Sequence, residues 1–404
     1  MNQNKPQTLK GFLDFLPGSC LVRNYVKNIF INVFETFGFE PLETPALEYA
    51  STLMGKYGDE ADKLVYSFKD QGNRQVCLRY DLTVPVSKVL AIYQNQIPLP
   101  FKRYQIQPVW RAEKPQKGRY REILQCDIDS FGSTSPTTDA EIIAVIYNIL
   151  QKLNFKKYSI RINSRAVLAQ ILPQKELLQT LDKYKKIGKD GVTKEFKQKG
   201  LTQAKIDSIF ASLQSIKPDQ QLQQIFDQIQ KLGVPKDAYT FDPTMVRGLD
   251  YYTGPIFETY IEEPKIGSIT GGGRFDNLVN ILGGPDISAV GTTIGLDRIV
   301  DCILELNLLP NLPKTTTKIM IANLGQETSL LKLAANLRSQ NIPTLLYPDP
   351  DRLSKQFKYA NNKGIPFVAV LGPDELTQNK ITLKNLATGQ QKSLTQSDLL
   401  AQLA

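Results

Sequence analysis

A predicted β-hairpin places the strongest constraint on the fold of this chain. Residues 101–110 alternate in polarity as a strand does, and residues 122–131 are suited to the returning strand. The segment between them, residues 111–121, is polar and charged. Strand, polar loop and strand together predict an antiparallel hairpin, and hence an antiparallel sheet, that carries a functional loop.

The loop of this predicted hairpin is strongly basic. Its eleven residues hold five positive charges, on Arg111, Lys114, Lys117, Arg119 and Arg121. Guanidinium groups bind phosphate through paired hydrogen bonds and stay charged at any working pH, so such a loop is suited to neutralise a triphosphate. A solvated basic loop is an equal alternative from composition alone, although Pro115 and Gly118 favour a rigid shape.

The segments around the hairpin predict further elements. Apolar side chains at i, i+3 and i+4 spacing over residues 19–37 predict an amphipathic helix, Gly38 stands where a C-cap glycine would, and residues 39–45 suggest a short strand. A helix is predicted at 139–154. Residues 166–240 hold twelve lysines, no arginine and eight acidic residues, with leucine at helical spacing. This change of composition predicts a separate helical insertion.

The C-terminal part of the sequence has a different pattern. Strand-like runs at 256–261 and 289–294 and a helix from Leu296 are followed by a proline- and threonine-rich linker over 307–317. Strands then alternate with helices. The predicted strands are 318–323, 344–347 and 367–371, and the predicted helices between them are 328–340 and 353–363. This alternation predicts a small α/β domain with a largely parallel sheet. We therefore expect one domain over residues 1–312, including the insertion, and a second over 318–404.

Composition excludes several classes of chemistry. The 404-residue sequence contains no histidine, so Ser-His-Asp and Cys-His machinery, imidazole bases and histidine-ligated metals are all excluded. The four cysteines lie far apart without CxxC spacing, which argues against a disulfide framework or a zinc site and favours a cytoplasmic location. No apolar run is long enough to span a membrane or to form a secretory signal. Lys plus Arg outnumber Asp plus Glu by 49 to 40, which is compatible with a polyanionic partner.

Three further runs carry candidate functional residues. In residues 246–254, Arg247 is suited to hold a carboxylate or phosphate, and a tyrosine pair presents hydroxyls to a polar ring, although a turn with core tyrosines is the alternative. The glycines of residues 271–276 would let backbone approach a ligand closely. Residues 291–298 form a glycine-bearing strand that leads into a helix with an arginine, and helix N-termini favour anions. Walker-type and Rossmann motifs are missing from the sequence.

These runs, taken in order, resemble the motifs of class II aminoacyl-tRNA synthetases, specifically the histidyl-tRNA synthetase family. The helix and the strand end near Pro45 look like motif 1. The hairpin, with its Arg-Ala-Glu and Gly-Arg-Tyr-Arg segments, looks like motif 2, and residues 291–298 look like motif 3. The Arg-Gly-Leu-Asp-Tyr-Tyr run over 247–252 and the Leu-Arg-Tyr-Asp-Leu-Thr run over 78–83 resemble the family's histidine-specific segments. The resemblance covers nearly the whole chain and is weakest in the insertion.

The resemblance implies a fold and a reaction. The fold is an α+β class II catalytic domain, an antiparallel sheet flanked by helices, with a helical insertion and a C-terminal α/β anticodon-binding domain. The reaction converts L-histidine and ATP to histidyl-adenylate and diphosphate. It then passes the histidyl group to tRNA(His) and releases AMP, with Mg²⁺ assisting. A cytoplasmic homodimer with motif 1 at the interface is expected. The lysines of the insertion are either a solvated helix face, which is the simpler interpretation, or a tRNA-facing surface.

The resemblance also implies a histidine site. By position, Asp81 and Thr83 would hold the amino group of the substrate, with Gln125 nearby. The imidazole would be engaged by Asp129, Tyr251 and Tyr252. The sequence departs from the common pattern at position 275, where phenylalanine replaces tyrosine, so a hydroxyl contact is lost there. Aspartate at 81 and 129, where some relatives have glutamate, suggests a branch of the family.

For ATP, the resemblance implies a set of cations. Arg111 and Arg247 would flank the α-phosphate and the substrate carboxylate as the catalytic pair, and Glu113 would contact the adenine. Arg119 and Arg298 would hold the outer phosphates together with magnesium. No metal site built from protein ligands alone is expected.

Two other functions compete with this one. A regulatory subunit of ATP phosphoribosyltransferase shares the catalytic fold but typically lacks the catalytic arginines, the tyrosine pair and the C-terminal domain that this sequence has. A non-catalytic, basic RNA-binding module explains the net charge but not the paired acidic and tyrosine positions. Lysines in the C-terminal domain that could contact tRNA phosphates, rather than remain solvated, are Lys355, Lys358, Lys363, Lys380 and Lys384.

Overall fold

The computed structural model of the chain describes residues 5–56, 62–115, 120–247, 251–264, 266–310 and 312–403. These residues form two compact units. The first consists of Met1–Asp14 and Tyr25–Leu309, and the second of Phe15–Asn24 and Pro310–Ala404.

The strands of the first unit form two sheets. They are β1 (Glu40–Pro41), β2 (Leu47–Tyr49), β3 (Ser67–Lys69), β4 (Gln75–Leu78), β5 (Phe101–Trp110), β6 (Glu122–Phe131), β7 (Tyr158–Ser164), β8 (Tyr239–Phe241), β9 (Pro255–Ile261), β10 (Ser268–Arg274) and β11 (Ala289–Gly295). Eight strands form one sheet in the order β1-β5-β6-β11-β10-β9-β7-β8, in which β1-β5 and β7-β8 are parallel pairs and the other pairs are antiparallel. Strands β2, β4 and β3 form a small antiparallel sheet.

Helices precede, connect and follow these strands along the chain. They are α1 (Pro17–Thr36), α2 (Ala50–Leu53), α3 (Thr83–Tyr93), α4 (Pro136–Lys152), α5 (Arg165–Ile171), α6 (Lys175–Asp182), α7 (Tyr184–Gln198), α8 (Gln203–Ser215), α9 (Gln220–Lys231), α10 (Leu278–Ile281) and α11 (Leu296–Leu306), with a 3-10 turn at Lys236–Ala238. Gly188 has a φ of 68° and interrupts α7. Among the described residues, no helix is sufficiently long and apolar to span a bilayer.

Local sequence explains where two of the main helices begin and end. In α4, the Ser135 side chain accepts a hydrogen bond from the amide of Thr137, and Pro136 occupies the first turn, where its missing N–H costs nothing. In α1, the buried side chains of Val26, Phe30, Val33 and Phe34 follow helical spacing. The predicted C-cap is confirmed, because Gly38 has a left-handed φ of 76° just after the helix.

The hairpin of β5 and β6 is confirmed with the predicted bounds. Its ladder runs without interruption from Phe101 opposite Phe131 to Trp110 opposite Glu122. On the other side, β6 pairs with β11 from Phe131 opposite Ala289 to Gln125 opposite Gly295. Because side chains alternate across a sheet, every second residue of β6 faces the same side. The hairpin therefore places a row of polar side chains at the centre of the sheet.

Two expectations for the first unit need correction. Only Glu40–Pro41 of the predicted strand 39–45 is a strand, since Pro41 and Pro45 lack the N–H groups that a longer ladder needs. The insertion is helical as predicted, in α5 to α9, but it is not separate. Its buried residues, including Leu168 and Phe196, belong to the same hydrophobic cluster as Phe131 and Tyr251. Helices α5 to α8 of the insertion therefore pack into the core beside the polar row.

The second unit contains a five-stranded sheet. Its elements are β12 (Ile319–Ile321), α12 (Glu327–Ser339), β13 (Thr344–Leu346), α13 (Leu353–Lys363), β14 (Phe367–Val370), α14 (Pro373–Thr377), β15 (Ile381–Asn385), β16 (Gln391–Leu394) and α15 (Gln396–Leu403). The order is β13-β12-β14-β15-β16. The expectation of a largely parallel sheet is half wrong, because β15 and β16 extend the parallel strands as an antiparallel hairpin.

Candidate active site

One small cavity collects the predicted histidine-site residues. It has a volume of about 90 Å³ and is lined by Asp81, Thr83, Arg111, Gln125, Asp129, Arg247, Tyr251 and Tyr252, with Gly271, Phe275, Gly291, Thr292 and Thr293. The first eight are the complete set proposed for histidine from the sequence. They come from four separate parts of the chain: Asp81 and Thr83, Arg111, Gln125 and Asp129 on β6, and Arg247 with Tyr251 and Tyr252.

Glycine at 291 makes room for the acidic end of this cavity. Gly291 lies on β11 directly opposite Asp129 on β6. A Cβ at Gly291 would lie 1.8 Å from Oδ1 of Asp129 and 2.6 Å from the carbonyl oxygen of Ile128. Any other residue would therefore displace both the carboxylate and the strand, so the glycine is required for Asp129 to face the cavity.

Glycine at 271 makes room for the basic end. A Cβ there would lie 2.3 Å from Nη1 and 2.5 Å from Cζ of Arg247. The guanidinium of Arg247 also lies 5.7 Å from the ring centroid of Tyr252, within the range of a cation–π contact. Its Nη1 donates to Glu258 Oε1 at 2.8 Å. The arginine is thus held over the glycine backbone of β10 by an aromatic face and a carboxylate.

The floor of the cavity holds an excess of buried carboxyl groups. Asp129 forms an ion pair with Arg103, and the side chains of both are almost fully buried. Burial raises the pKa of Asp129 to about 6, because the attraction of Arg103 only partly offsets the loss of hydration and the nearby Asp81 adds repulsion. The Asp81 carboxylate accepts from the amide of Val84 at 3.1 Å, at the start of α3, and from the Tyr251 hydroxyl at 3.5 Å.

The aromatic wall explains the departure at position 275. Phe275 is 2% exposed and packs edge-on against Phe131 and Tyr251, at centroid distances of 5.9 and 6.1 Å. A phenyl ring in this packing contributes shape and no polar contact to the cavity. The selectivity of the site therefore depends on its other side chains.

Arg111 links this cavity to a second, larger one. Its Nε donates to the carbonyl oxygen of Tyr80 at 3.0 Å, its Nη2 lies 3.5 Å from Gln125 Oε1, and its guanidinium lies over the Tyr80 ring. The second cavity, of about 250 Å³, shares Arg111, Gln125, Arg247, Gly271 and Thr293 with the first. The guanidinium groups of Arg111 and Arg247 therefore line both cavities.

The second cavity collects the described members of the predicted ATP site. Arg111, Glu113 and Arg298 line it, together with Tyr120, Ile123, Glu258, Ser268 and Asp297. Arg298 donates to the carbonyl oxygen of Ser268. Arg119, the remaining residue predicted to bind ATP, lies outside the described residues. Arginines at two walls of one cavity, with backbone of β10 and β11 between them, favour an anionic ligand.

Sequence analysis missed several residues of the site. Arg103 and Asp127 lie within the predicted hairpin, and the strand register places both on the face of the sheet that carries Asp129. Glu258 pairs with Arg247 across 11 residues of sequence. Alternation along residues 122–131 could have identified Asp127, because it shares the parity of Gln125 and Asp129. No local signal marks Arg103 or Glu258.

Comparisons with known proteins show the family of this chain. The sequence profile described as Histidyl-tRNA synthetase matches residues 11–184 and 196–299, and the profile described as Anticodon binding domain matches residues 318–404. A protein named Histidine–tRNA ligase from Cytophaga hutchinsonii is 38% identical over 450 residues, which cover 99% of this chain and 99% of that protein.

Solved structures show the same likeness. The crystal structure of histidyl-tRNA synthetase from Nostoc sp. PCC 7120 matches with a TM-score of 0.86 and 29% identity, over 99% of each chain. An ATP phosphoribosyltransferase regulatory subunit/histidyl-tRNA synthetase from Bacillus halodurans matches with a TM-score of 0.73 at 19% identity, a likeness of fold alone. The profile match over most of the chain and the full-length relative establish that this chain belongs to the histidyl-tRNA synthetase family.

Proposed function

We propose that this chain is a histidine–tRNA ligase, which activates L-histidine with ATP to histidyl-adenylate and transfers the histidyl group to tRNA(His). The observation that carries the proposal is the shared wall of the two cavities. Arg111 and Arg247 line a small polar cavity sized for an amino acid and also a larger one suited to a nucleotide. A group bound in one would meet a group bound in the other at these two arginines.

The charge arrangement fits the first step of this reaction. Attack of the histidine carboxylate on the α-phosphorus brings two anions together, forms an O–P bond and releases diphosphate. Fixed cations at that point stabilise the transition state without reorganisation. Arg111 and Arg247 are proposed as the catalytic residues because both reach that junction. The substrate supplies the nucleophile, so the reaction needs no histidine or serine side chain.

The remaining residues are proposed to bind the substrates. Asp81, Thr83 and Gln125 would hold the amino group. Asp129, Tyr251 and Tyr252 would hydrogen-bond the imidazole nitrogens. A substrate without these nitrogens would leave the buried polar groups unpaired, which costs about 1–3 kcal/mol for each group. Selectivity for histidine would follow from that cost.

The nucleotide would occupy the larger cavity. Glu113 is proposed to contact the adenine, and Arg119 and Arg298 the outer phosphates.

Magnesium is proposed to arrive with the nucleotide. Within the described ranges, no three Asp, Glu, Cys or His side chains come together as a metal site. Mg²⁺ keeps several waters and is commonly bound by one or two carboxylates together with substrate phosphates, so this donor set fits a nucleotide-borne ion. The carboxylates that line the larger cavity are those of Glu113, Glu258 and Asp297. When bound, the ion would neutralise charge on the phosphates.

The biological setting is proposed on the same basis. The region 1–312, with its insertion, would carry the chemistry, and 318–404 would bind the anticodon. A homodimer in the cytoplasm follows from the family. Exposed apolar side chains near motif 1, including Leu47, Tyr49 and Phe68, are compatible with an interface of this kind.

Histidine-dependent exchange of diphosphate into ATP tests the proposed function. The wild-type protein should catalyse exchange with histidine and not with the other amino acids, and Arg111→Ala should lower the rate on the order of 100-fold or more. Absence of exchange in folded wild-type protein would contradict the synthetase assignment. Binding of ATP without exchange would instead favour a regulatory subunit, and tRNA binding alone a non-catalytic module.

The proposed tRNA contacts have their own test. Affinity for tRNA(His) should fall with salt, and each phosphate contact should contribute about −0.7 to −0.9 to the slope of log K against log salt concentration. Lys358→Ala and Lys363→Ala, both at exposed positions of α13, should each reduce the slope by about one such contact. Fluorescence anisotropy across a salt series measures this, and a salt-independent affinity would contradict the proposal.

A further inference from the structure

The hydrogen bonds behind Gln125 suggest a role for two residues that sequence analysis did not select. We propose that Asp127 and Thr293 orient the amide of Gln125, and that this relay of three side chains reverses its direction when Asp127 takes up a proton. Both would be positioning residues that act on histidine binding through Gln125. The inference rests on the proposed function, in which Gln125 helps to bind the amino group of histidine.

The relay lies on two neighbouring strands. Gln125 and Asp127 face the same side of β6, and Thr293 lies opposite Asp127 on β11. Gln125 Nε2 donates to Thr293 Oγ1 at 2.6 Å, and Thr293 Oγ1 donates to Asp127 Oδ1. Gln125 and Asp127 are 5% and 2% exposed, so water does not replace these bonds.

The single proton of the threonine hydroxyl fixes the direction of the relay. A carboxylate can only accept, so Thr293 must donate to an ionised Asp127. The Thr293 oxygen then accepts from Gln125, which commits the amide nitrogen of Gln125 to that contact. The amide oxygen is left facing Arg111, whose Nη2 lies 3.5 Å away, and the cavity. In this orientation, Gln125 offers an acceptor to a substrate ammonium group.

Protonation of Asp127 on Oδ1, the oxygen that accepts from Thr293, would reverse each of these bonds. A neutral carboxyl group can donate to Thr293, and the threonine hydroxyl then turns its proton toward Gln125. The amide of Gln125 must flip to accept it, which presents an NH₂ group to the cavity. Two donors would then face one another when histidine binds through its ammonium group. Histidine affinity should therefore fall as Asp127 becomes protonated.

The surroundings of Asp127 place this change near neutral pH. Asp127 faces Arg103 on β5, Asp129 on its own strand, Thr293 on β11, and Asp81 in the segment before α3. Burial raises the pKa of Asp127 to about 7; the charge of Arg103 and the Thr293 hydrogen bond oppose this rise, and the carboxyl groups of Asp129 and Asp81 add to it. At pH 8 most of the Asp127 population would be ionised, and at pH 6 most would be neutral.

The test compares wild type with Asp127→Asn in diphosphate exchange between pH 6 and pH 8. The asparagine oxygen can accept from Thr293 at every pH, so this variant keeps the relay in one direction and does not titrate. The ratio of the histidine KM at pH 6 to that at pH 8 should be about tenfold larger for wild type, which follows from a pKa of about 7. The kcat ratio should be the same for both proteins. Titration of histidine itself affects both equally and cancels.

Variants at Thr293 complete the design. Thr293→Val keeps the shape and removes the hydroxyl, so it should raise the histidine KM at pH 8 and lose the wild-type pH dependence. Thr293→Ser should restore both the wild-type histidine KM at pH 8 and its dependence on pH. Equal KM ratios in wild type and Asp127→Asn, or a wild-type ratio in Thr293→Val, would overturn the relay. Failure of wild type to catalyse exchange at pH 8 would instead refute the proposed function, so the two failures are distinguishable.

Discussion

Replacing Gly271 by alanine is expected to lower the kcat of histidyl-adenylate formation by about 10²–10³-fold, a much larger effect than its effect on the free energy of unfolding. The three atoms nearest to the new Cβ, at 2.3 to 2.5 Å, all belong to the guanidinium of Arg247. Because this is the far end of a flexible side chain, the fold can accommodate alanine by displacing the arginine. The displaced guanidinium would lose Glu258, 2.8 Å away, and its place on the wall that both cavities share. Diphosphate exchange and chemical denaturation measure the two effects.

A double-mutant cycle shows whether the loss acts through Arg247. Arg247→Ala should lower kcat to a similar extent, and the double variant should be no worse than Arg247→Ala alone, since both changes remove the same interaction. Gly18→Ala is the matched control, because its Cβ would meet no atom within 4 Å and its backbone is not left-handed. A double variant whose loss equals the product of the two single losses would contradict this account of Gly271.

Local patterns predicted the elements that carry the site. The hairpin of β5 and β6 follows from alternation over two ten-residue segments, a signal that depends only on neighbouring residues. The helix α13 has the predicted bounds for the same reason. By contrast, β16 is the polar segment Gln391–Leu394, which pairs with β15, and β15 in turn pairs with β14. A short window of sequence does not contain the residues of the neighbouring strand, so it cannot predict this pairing.

The residues of the site also divide into those that the sequence predicts and those that only the structure reveals. The resemblance identified the eight side chains that line the smaller cavity because they lie in recognisable runs. It did not identify residues that act behind them, such as Arg103, whose role depends on the pairing of β5 with β6. The sequence predicts close approach of backbone to a ligand at the glycines of 271–276, and a glycine-bearing strand at Gly291. The neighbours of Gly271 and Gly291 in the structure are side chains of this chain, Arg247 and Asp129. These glycines therefore provide space for a side chain rather than for a ligand.

Replacing Asp139 by alanine is expected to lower the free energy of unfolding by about 3–5 kcal/mol. Asp139 lies in the first turn of α4 and is fully buried, and its two carboxylate oxygens accept from Nε and Nη2 of Arg274 at the end of β10. Nη1 of Arg274 donates to the carbonyl oxygen of Ser133, so the pair fastens α4 to the sheet. Without the carboxylate, a guanidinium that is 4% exposed would lose its main anionic partner. Hydration could not replace that partner.

The single tryptophan, Trp110 on β5, makes this effect measurable in the first unit alone. Tryptophan fluorescence during urea denaturation should report the shift in midpoint without a contribution from the second unit. Lys157→Ala is the matched control, since its ion pair with Glu263 is 66% and 70% exposed and an exposed pair contributes about 1 kcal/mol or less. Equal shifts for the two variants would show that burial does not set the strength of the Asp139–Arg274 pair. A larger shift for Asp139→Ala is expected because only that substitution leaves a charge in a place that water cannot reach.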